Sequence, residues 1–300
     1  MNKHLRSLYY FSPYFVKCLM ATIEGYRLIN WRYSAQTEEL INNYNEREFW
    51  NKNDWEIWIQ NQLDEILHSA KKYVPFYQEY WKDKDDPFDI LDNWPIIKKQ
   101  DIIKSPQAFL DTRYNKSDLY LDHTSGTTGS PLDIYLEKNS VEEQYALFEA
   151  RVKRKYGINL DEKWAIIGSQ IVSSAQRKKP PFWVYNFASS QLYLSSIHIA
   201  EWSIAHYFSA FIKYQPRFLI GYTYSIFEIA KWMVENNKTF KLKAVITNAE
   251  PLYDFQKKDI NEAFDCPVVE TYGQAELVCF ANTFPDGNMY QSPEIGFVEC

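Results

Sequence analysis

The sequence predicts an α/β fold in which a sheet containing parallel strands carries helices on its faces. From Trp164 onward, short apolar runs alternate with amphipathic stretches of helical length, the order that strand–helix–strand crossovers produce. Two polar segments, Ala249-Glu250-Pro251 and Tyr272-Gly273, follow directly on two of those runs. Such positions, at the carboxyl ends of strands, are where open α/β sheets hold their ligands. A chain of 300 residues is ample for the large core this fold needs.

The elements follow in order. Residues 1–37 read as an amphipathic lead-in. Pro13 and Lys17 interrupt its apolar residues and no small-residue cleavage pattern follows, so a signal peptide is not predicted. No apolar stretch reaches the length of a membrane span. The lead-in is expected to pack on the domain, with contact to a membrane surface as the alternative. Residues 55–73 place Trp55, Trp58, Leu63, Ile66 and Leu67 roughly at helical spacing. Residues 82–87 read as an exposed loop, and a helix start is expected near Ser105. A charged helix is predicted over 140–156, with Ser140 as N-cap and Glu143 at the capping-box position. Strands are predicted at 164–168, 218–221, 244–247 and 268–271, and helices at 200–214, 225–236 and 254–264.

Composition narrows the class. Hydrophobic residues make up 46% and charged residues 24%, as in ordinary globular proteins. A formal charge of −6 with no basic stripe argues against a nucleic-acid partner. The one basic run, Arg177-Lys178-Lys179-Pro180-Pro181, reads as a solvated loop. Aromatic residues reach 17%, which fits an aromatic-rich core or a pocket for a flat ligand. Cys18, Cys266, Cys279 and Cys300 are scattered, with no disulfide framework or zinc spacing, and point to a reducing cytoplasm.

Chemistry concentrates in three segments. The run His123-Thr124-Ser125-Gly126-Thr127-Thr128-Gly129-Ser130-Pro131-Leu132 carries too little apolar surface to be core. It suits a tight loop between strands, whose backbone N–H groups and hydroxyls converge on an anion. The lysine and spacing of a P-loop are absent, so a P-loop NTPase is excluded. The other two segments are Thr247-Asn248-Ala249-Glu250-Pro251-Leu252 and Glu270-Thr271-Tyr272-Gly273-Gln274-Ala275-Glu276. In this order the three resemble the signatures of the adenylate-forming superfamily of acyl-CoA synthetases, luciferases and adenylation domains. Tyr73-Val74-Pro75-Phe76-Tyr77, Trp94-Pro95-Ile96-Ile97-Lys98-Lys99 and Pro216-Arg217-Phe218-Leu219-Ile220-Gly221-Tyr222 look like the phenylacetate–CoA ligase branch. Within it, Ser195-Ser196-Ile197-His198 is closest to relatives tied to capsular polysaccharide biosynthesis.

The resemblance covers residues 38–300 and implies the large N-terminal domain of the adenylate-forming fold, with mixed sheets flanked by helices. It implies ATP-dependent activation of a carboxylic acid as an acyl-adenylate, with transfer to CoA or another acceptor. Ser125, Gly126, Thr127, Thr128 and Gly129 would wrap the β- and γ-phosphates, and Ser130 stands where many relatives carry Lys. Glu276 would share Mg²⁺ with the hydroxyl of Thr127 or Thr128. Tyr272, with Gly273, would lie against adenine, and Asn248, Ala249, Glu250 and Pro251 would form the opposite wall. His198 is similar in placement to the residue that borders the acyl pocket, where it would orient the carboxylate; a purely structural histidine is the competing reading. The expected partner is a small carboxylic acid, with room left for peripheral membrane contact and for a homodimer.

Members of the superfamily continue into a ribose-binding aspartate, a hinge and a small C-terminal domain with a catalytic lysine. Residues 294–300 read as a strand leading toward that segment, so the expectation is a fragment with weak ATP binding and poor turnover. Two functions therefore stand side by side. One is the ligase; the other is a non-catalytic remnant that binds a nucleotide or a partner.

Overall fold

A computed structural model describes residues 9–83, 93–124, 129, 131–170 and 172–298. The chain opens with helices α1 (Tyr14–Arg32), α2 (Thr37–Arg47), α3 (Lys52–Tyr73), α4 (Pro75–Tyr80) and α5 (Lys99–Lys104). Helix α3 starts one turn before Trp55 because Asn51 caps it. The Asn51 Oδ1 accepts from the N–H groups of Asn53 at 2.9 Å and Asp54 at 3.1 Å. The Asp54 carboxylate accepts in return from the Asn51 N–H, which closes a capping box.

Strands β1 (Tyr120–His123) and β2 (Asp133–Leu136) then form an antiparallel hairpin. Helix α6 (Lys138–Phe148) begins before the expected Ser140 cap. Glu137 takes the extended N-cap conformation, and the Ser140 hydroxyl turns back to donate to its carboxylate at 3.3 Å. Nor does α6 run to residue 156. It widens into a π turn at Glu149–Lys153 and tightens into a 3-10 turn at Arg154–Tyr156, ended by Gly157 with φ of 64°.

The remaining elements alternate: β3 (Trp164–Gly168), β4 (Trp183–Asn186), β5 (Gln191–Ser195), α7 (Ile204–Tyr214), β6 (Phe218–Tyr222), α8 (Thr223–Glu235), β7 (Ala244–Asn248), α9 (Asp254–Phe264), β8 (Val268–Gly273), β9 (Phe280–Thr283) and β10 (Met289–Gln291). Helix α7 starts later than residue 200 because the Ser203 hydroxyl accepts from the Ala200 N–H at 3.1 Å and closes a turn there. Strands β3 to β10 make one sheet in the order β10-β9-β8-β7-β6-β3-β5-β4. The central five, β5-β3-β6-β7-β8, are parallel, and β4, β9 and β10 join antiparallel. The α/β reading therefore holds.

Both faces of the sheet are covered, which is why its central strands read as nearly unbroken apolar runs. On one face Ala165, Ile167, Leu219 and Val245 meet Phe211 of α7, Ile229 and Met233 of α8 and Ile260 of α9. On the other, Phe218, Ile246 and Val269 meet Ile41 and Tyr44 of α2 and Leu147 of α6. Each such fully buried side chain contributes about 1.5–3 kcal/mol by leaving water. Helix α1 packs on the β4 edge through Cys18, Val172 and Val184. The lead-in thus packs on the domain. Residues 294–298 form no strand; Glu294 instead turns inward to an ion pair with Arg151 at 2.5 Å. Cys18 and Cys266 are buried free thiols.

Candidate active site

The parallel strands deliver their carboxyl ends to one edge of the sheet. Ile167 pairs with Gly221, Tyr222 with Asn248, and Thr247 with Glu270, so β3, β6, β7 and β8 stop nearly level. Backbones crowd there. A Cβ on Gly221 would lie 2.1 Å from the Ile167 carbonyl oxygen, so only glycine fits between β6 and β3. The Tyr222 ring sits over Gly168, whose missing Cβ would be 3.8 Å from it.

The segment after β7 is held from both sides. Ala249 adopts φ of 64°, turning the chain sharply after Asn248. The Glu250 carboxylate accepts from the Tyr224 N–H at 2.8 Å, and its carbonyl accepts from the Thr223 hydroxyl at 3.0 Å. Glu250 therefore caps α8 and satisfies one of the free N–H groups at its start. On the other side, the Glu270 carboxylate accepts from the Leu252 N–H at 3.2 Å, and the Thr271 hydroxyl donates to the Thr247 carbonyl at 2.9 Å. The sequence assigns no role to Thr223, and none to Glu270 beyond its place in the third segment. The available signal was a charged residue inside an otherwise apolar strand run.

One polar atom at this edge is left over. Asn248 Oδ1 is buried and receives no hydrogen bond among the described residues. Buried acceptors are normally paired, so this oxygen has capacity for a donor from outside the described residues. Tyr272, at the end of β8, is 53% exposed and available for stacking. Beyond Gly273 the chain turns through residues 274–277, with the Leu277 N–H donating to the Gln274 carbonyl at 3.2 Å. Glu276 lies half-buried in that turn. Residues after β10 close over it, since a Cβ on Gly296 would sit 2.1 Å from the Val278 oxygen. Among the described residues no group of three or more His, Cys, Asp or Glu side chains could hold a metal ion. A single carboxylate suits Mg²⁺, which takes most of its oxygens from phosphate and water.

The structure thus gathers Tyr222, Asn248, Ala249, Glu250, Pro251, Tyr272, Gly273 and Glu276 along one edge. Of the Ser/Thr/Gly loop, Ser125, Gly126, Thr127, Thr128 and Ser130 lie outside the described residues. Its base is the β1–β2 hairpin, closed where the Thr124 N–H donates to the Leu132 carbonyl at 3.0 Å and its hydroxyl accepts from the Leu132 N–H at 2.9 Å. The loop therefore springs from between strands, as expected. Gly129 keeps open space where a Cβ would stand.

His198 follows β5, three strand positions from β7, or about 14 Å at the usual strand spacing. It is 3% exposed and both ring nitrogens are engaged. Nδ1 meets the Ser195 hydroxyl at 2.7 Å and Nε2 meets the Ser174 carbonyl at 2.9 Å, while Phe182 stacks on the ring at 5.0 Å. With Nε2 donating to a carbonyl, the neutral ring accepts at Nδ1. Burial holds its pKa below the usual imidazole value, helped by the nearby Arg177 and Lys178 charges. As it stands, the ring ties β5 to the 172–177 loop.

The fold of this chain is similar to that of solved CoA ligases. A 2-hydroxyisobutyryl-CoA ligase solved with 2-HIB-AMP and CoA in the thioesterification state aligns with a TM-score of 0.56 at 19% identity, over 79% of this chain and 53% of that one. The same ligase in the postadenylation state aligns with a TM-score of 0.50 at 18% identity, over 73% of this chain and 48% of that one. Protein CapK of Staphylococcus aureus is 29% identical over 304 residues, covering 99% of this chain and 66% of that protein. No established family profile matches the chain. The chain spans about half the length of the solved ligases and 66% of the curated relative.

Proposed function

We propose that this chain is the nucleotide-binding portion of a ligase that joins a carboxylic acid to AMP and passes the acyl group to CoA or another acceptor. The observation that carries the reading is the unpaired Asn248 Oδ1 at the carboxyl edge of a sheet with this fold. Adenine offers one exocyclic amino donor, and Asn248 offers the acceptor. Tyr272 would stack on the base, Ala249, Glu250 and Pro251 would wall it through their backbone, and Gly273 would keep the approach open. Ser125, Gly126, Thr127, Thr128 and Gly129 would hold the terminal phosphates through N–H groups and hydroxyls. Glu276, with Thr127, would hold Mg²⁺, which supplies charge neutralisation to the leaving pyrophosphate.

The chemistry then needs little from protein side chains beyond positioning. Attack of a carboxylate oxygen on the α-phosphorus expels pyrophosphate, and alignment of the two reactants supplies most of the acceleration. His198 would act from behind, fixing the β5 end that borders the acid, rather than touching it. A setting in capsular or surface polysaccharide biosynthesis is supported by the sequence subgroup and by the similarity to Protein CapK. A cytoplasmic location is supported by the scattered cysteines, with Cys18 and Cys266 buried as thiols.

Peripheral membrane contact has one specific support. Phe15, Leu19, Ile23 and Tyr26 form an exposed apolar stripe on α1, opposite the face packed on β4. No helix among the described residues is long and apolar enough to cross a membrane.

Pyrophosphate exchange into ATP, measured across a panel of carboxylic acids, tests the ligase. The expected result is acid-dependent exchange that Glu276→Ala abolishes. Exchange that Glu276→Ala leaves untouched would remove the proposed metal site. No exchange with any acid, alongside intact nucleotide binding, would favour a binding role without turnover.

A further inference from the structure

A second cavity opens at the opposite, amino-terminal edge of the sheet. It encloses about 330 Å³ between the end of α1, helix α6 and the first residues of β3, β5 and β6, within the usual size range of small-molecule sites. Its walls are aromatic. Trp164 and Phe218 stack with centroids 5.6 Å apart and planes 6° off parallel, and Tyr145 and Phe148 face in from α6.

Two cations and two carboxylates meet around it. The π turn that interrupts α6 turns Lys153 inward, where Glu149 neutralises it at 2.5 Å and the Tyr33 hydroxyl donates to the same oxygen at 2.9 Å. Arg32, from the last turn of α1, has no carboxylate partner among the described residues. Its guanidinium lies 4.6 Å over the Tyr145 ring, amid phenols that are neutral at ordinary pH. Asp161, at the rim, is exposed and not ion-paired to it. Gln191 lines the same cavity. Its amide oxygen receives Asn186 Nδ2 and the Ser189 hydroxyl, each at 3.4 Å. Its Nε2, in a residue only 2% exposed, faces the Tyr193 hydroxyl and has no carbonyl or carboxylate acceptor among the described residues.

A guanidinium without a carboxylate partner and a buried amide N–H line the same cavity, a pairing that a ligand carboxylate completes. We propose that this cavity binds a small aromatic monocarboxylate, its carboxylate on Arg32 and Gln191 and its ring against Trp164 and Phe218. The site is separate from the carboxyl edge. Five-residue strands put about 16 Å between the two. An acid bound here cannot reach an adenylate there, so the proposal goes beyond the ligase reading.

The test uses benzoate as anionic probe and benzamide as its neutral isostere, followed by calorimetry and by Trp fluorescence. The expected result is benzoate binding at one site at least about tenfold tighter than benzamide. ATP should not displace it. Arg32→Gln should abolish the benzoate preference while leaving benzamide affinity unchanged, and Arg32→Lys should restore part of it. Equal binding of the two probes by the wild-type chain overturns the proposal, as does displacement of benzoate by ATP, or no benzoate binding at millimolar concentration. If Arg32→Gln fails to fold, the wild-type probe ratio and the ATP competition still decide. Neither readout depends on whether the carboxyl edge catalyses adenylation.

Discussion

Asn248 and His198 show how differently two polar residues behave at the same edge of a sheet. The Asn248 oxygen has no partner to lose, so Asn248→Ala should leave stability within about 1 kcal/mol of the parent while lowering nucleotide affinity up to about tenfold. Urea unfolding and calorimetry together check that split. His198 has two partners and a depressed pKa. Below the unfolded value of 6.5 the unfolded chain takes up a proton that the folded chain refuses, so stability is full above pH 6.5 and falls as the pH drops toward the lowered folded value. His198→Gln should remove that part of the acid slope in urea midpoints taken between pH 7.5 and 5.5. The sequence pointed to both residues. It could not say that one has a free atom and the other none, because that depends in part on Ser174 arriving from another segment.

Elements that are buried on both faces were legible; those at the margins were not. β3, β6, β7 and β8 announce themselves as short apolar runs, and α9 was read at its observed bounds, Asp254–Phe264. β5 was missed because it begins with buried Gln191 and ends with buried Ser195, whose partners are local and invisible to periodicity. β4 is a four-residue antiparallel edge, too short for alternation to register. The Ser140 cap failed because Glu137, one turn earlier, could take the same role. Two substitutions test the element-level account. Gly221→Ala should destabilise by about 3 kcal/mol, because its Cβ strikes the Ile167 backbone rather than a side chain that can swing away. Glu250→Ala removes the cap on α8 and should cost about 1 kcal/mol, with the 248–252 loop loosened and nucleotide affinity reduced as a consequence. Thermal unfolding ranks the two.

At the scale of the molecule, the sheet separates two proposed ligand edges. Its carboxyl edge carries the described residues of the second and third sequence segments, aligned by the register of β6, β7 and β8. Its amino edge carries an aromatic cavity that no motif announced, because Arg32, Lys153 and Gln191 are far apart in the chain and meet only through α1, the π turn and β5. The central claim is that the carboxyl edge binds an adenine nucleotide. Calorimetric titration of the wild-type chain and the Tyr272→Ala and Asn248→Ala variants with ATP and Mg²⁺ tests it most directly. The account predicts one saturable site in the wild type, weakened in both variants. Equal affinity in all three chains, or no binding in any, would contradict it.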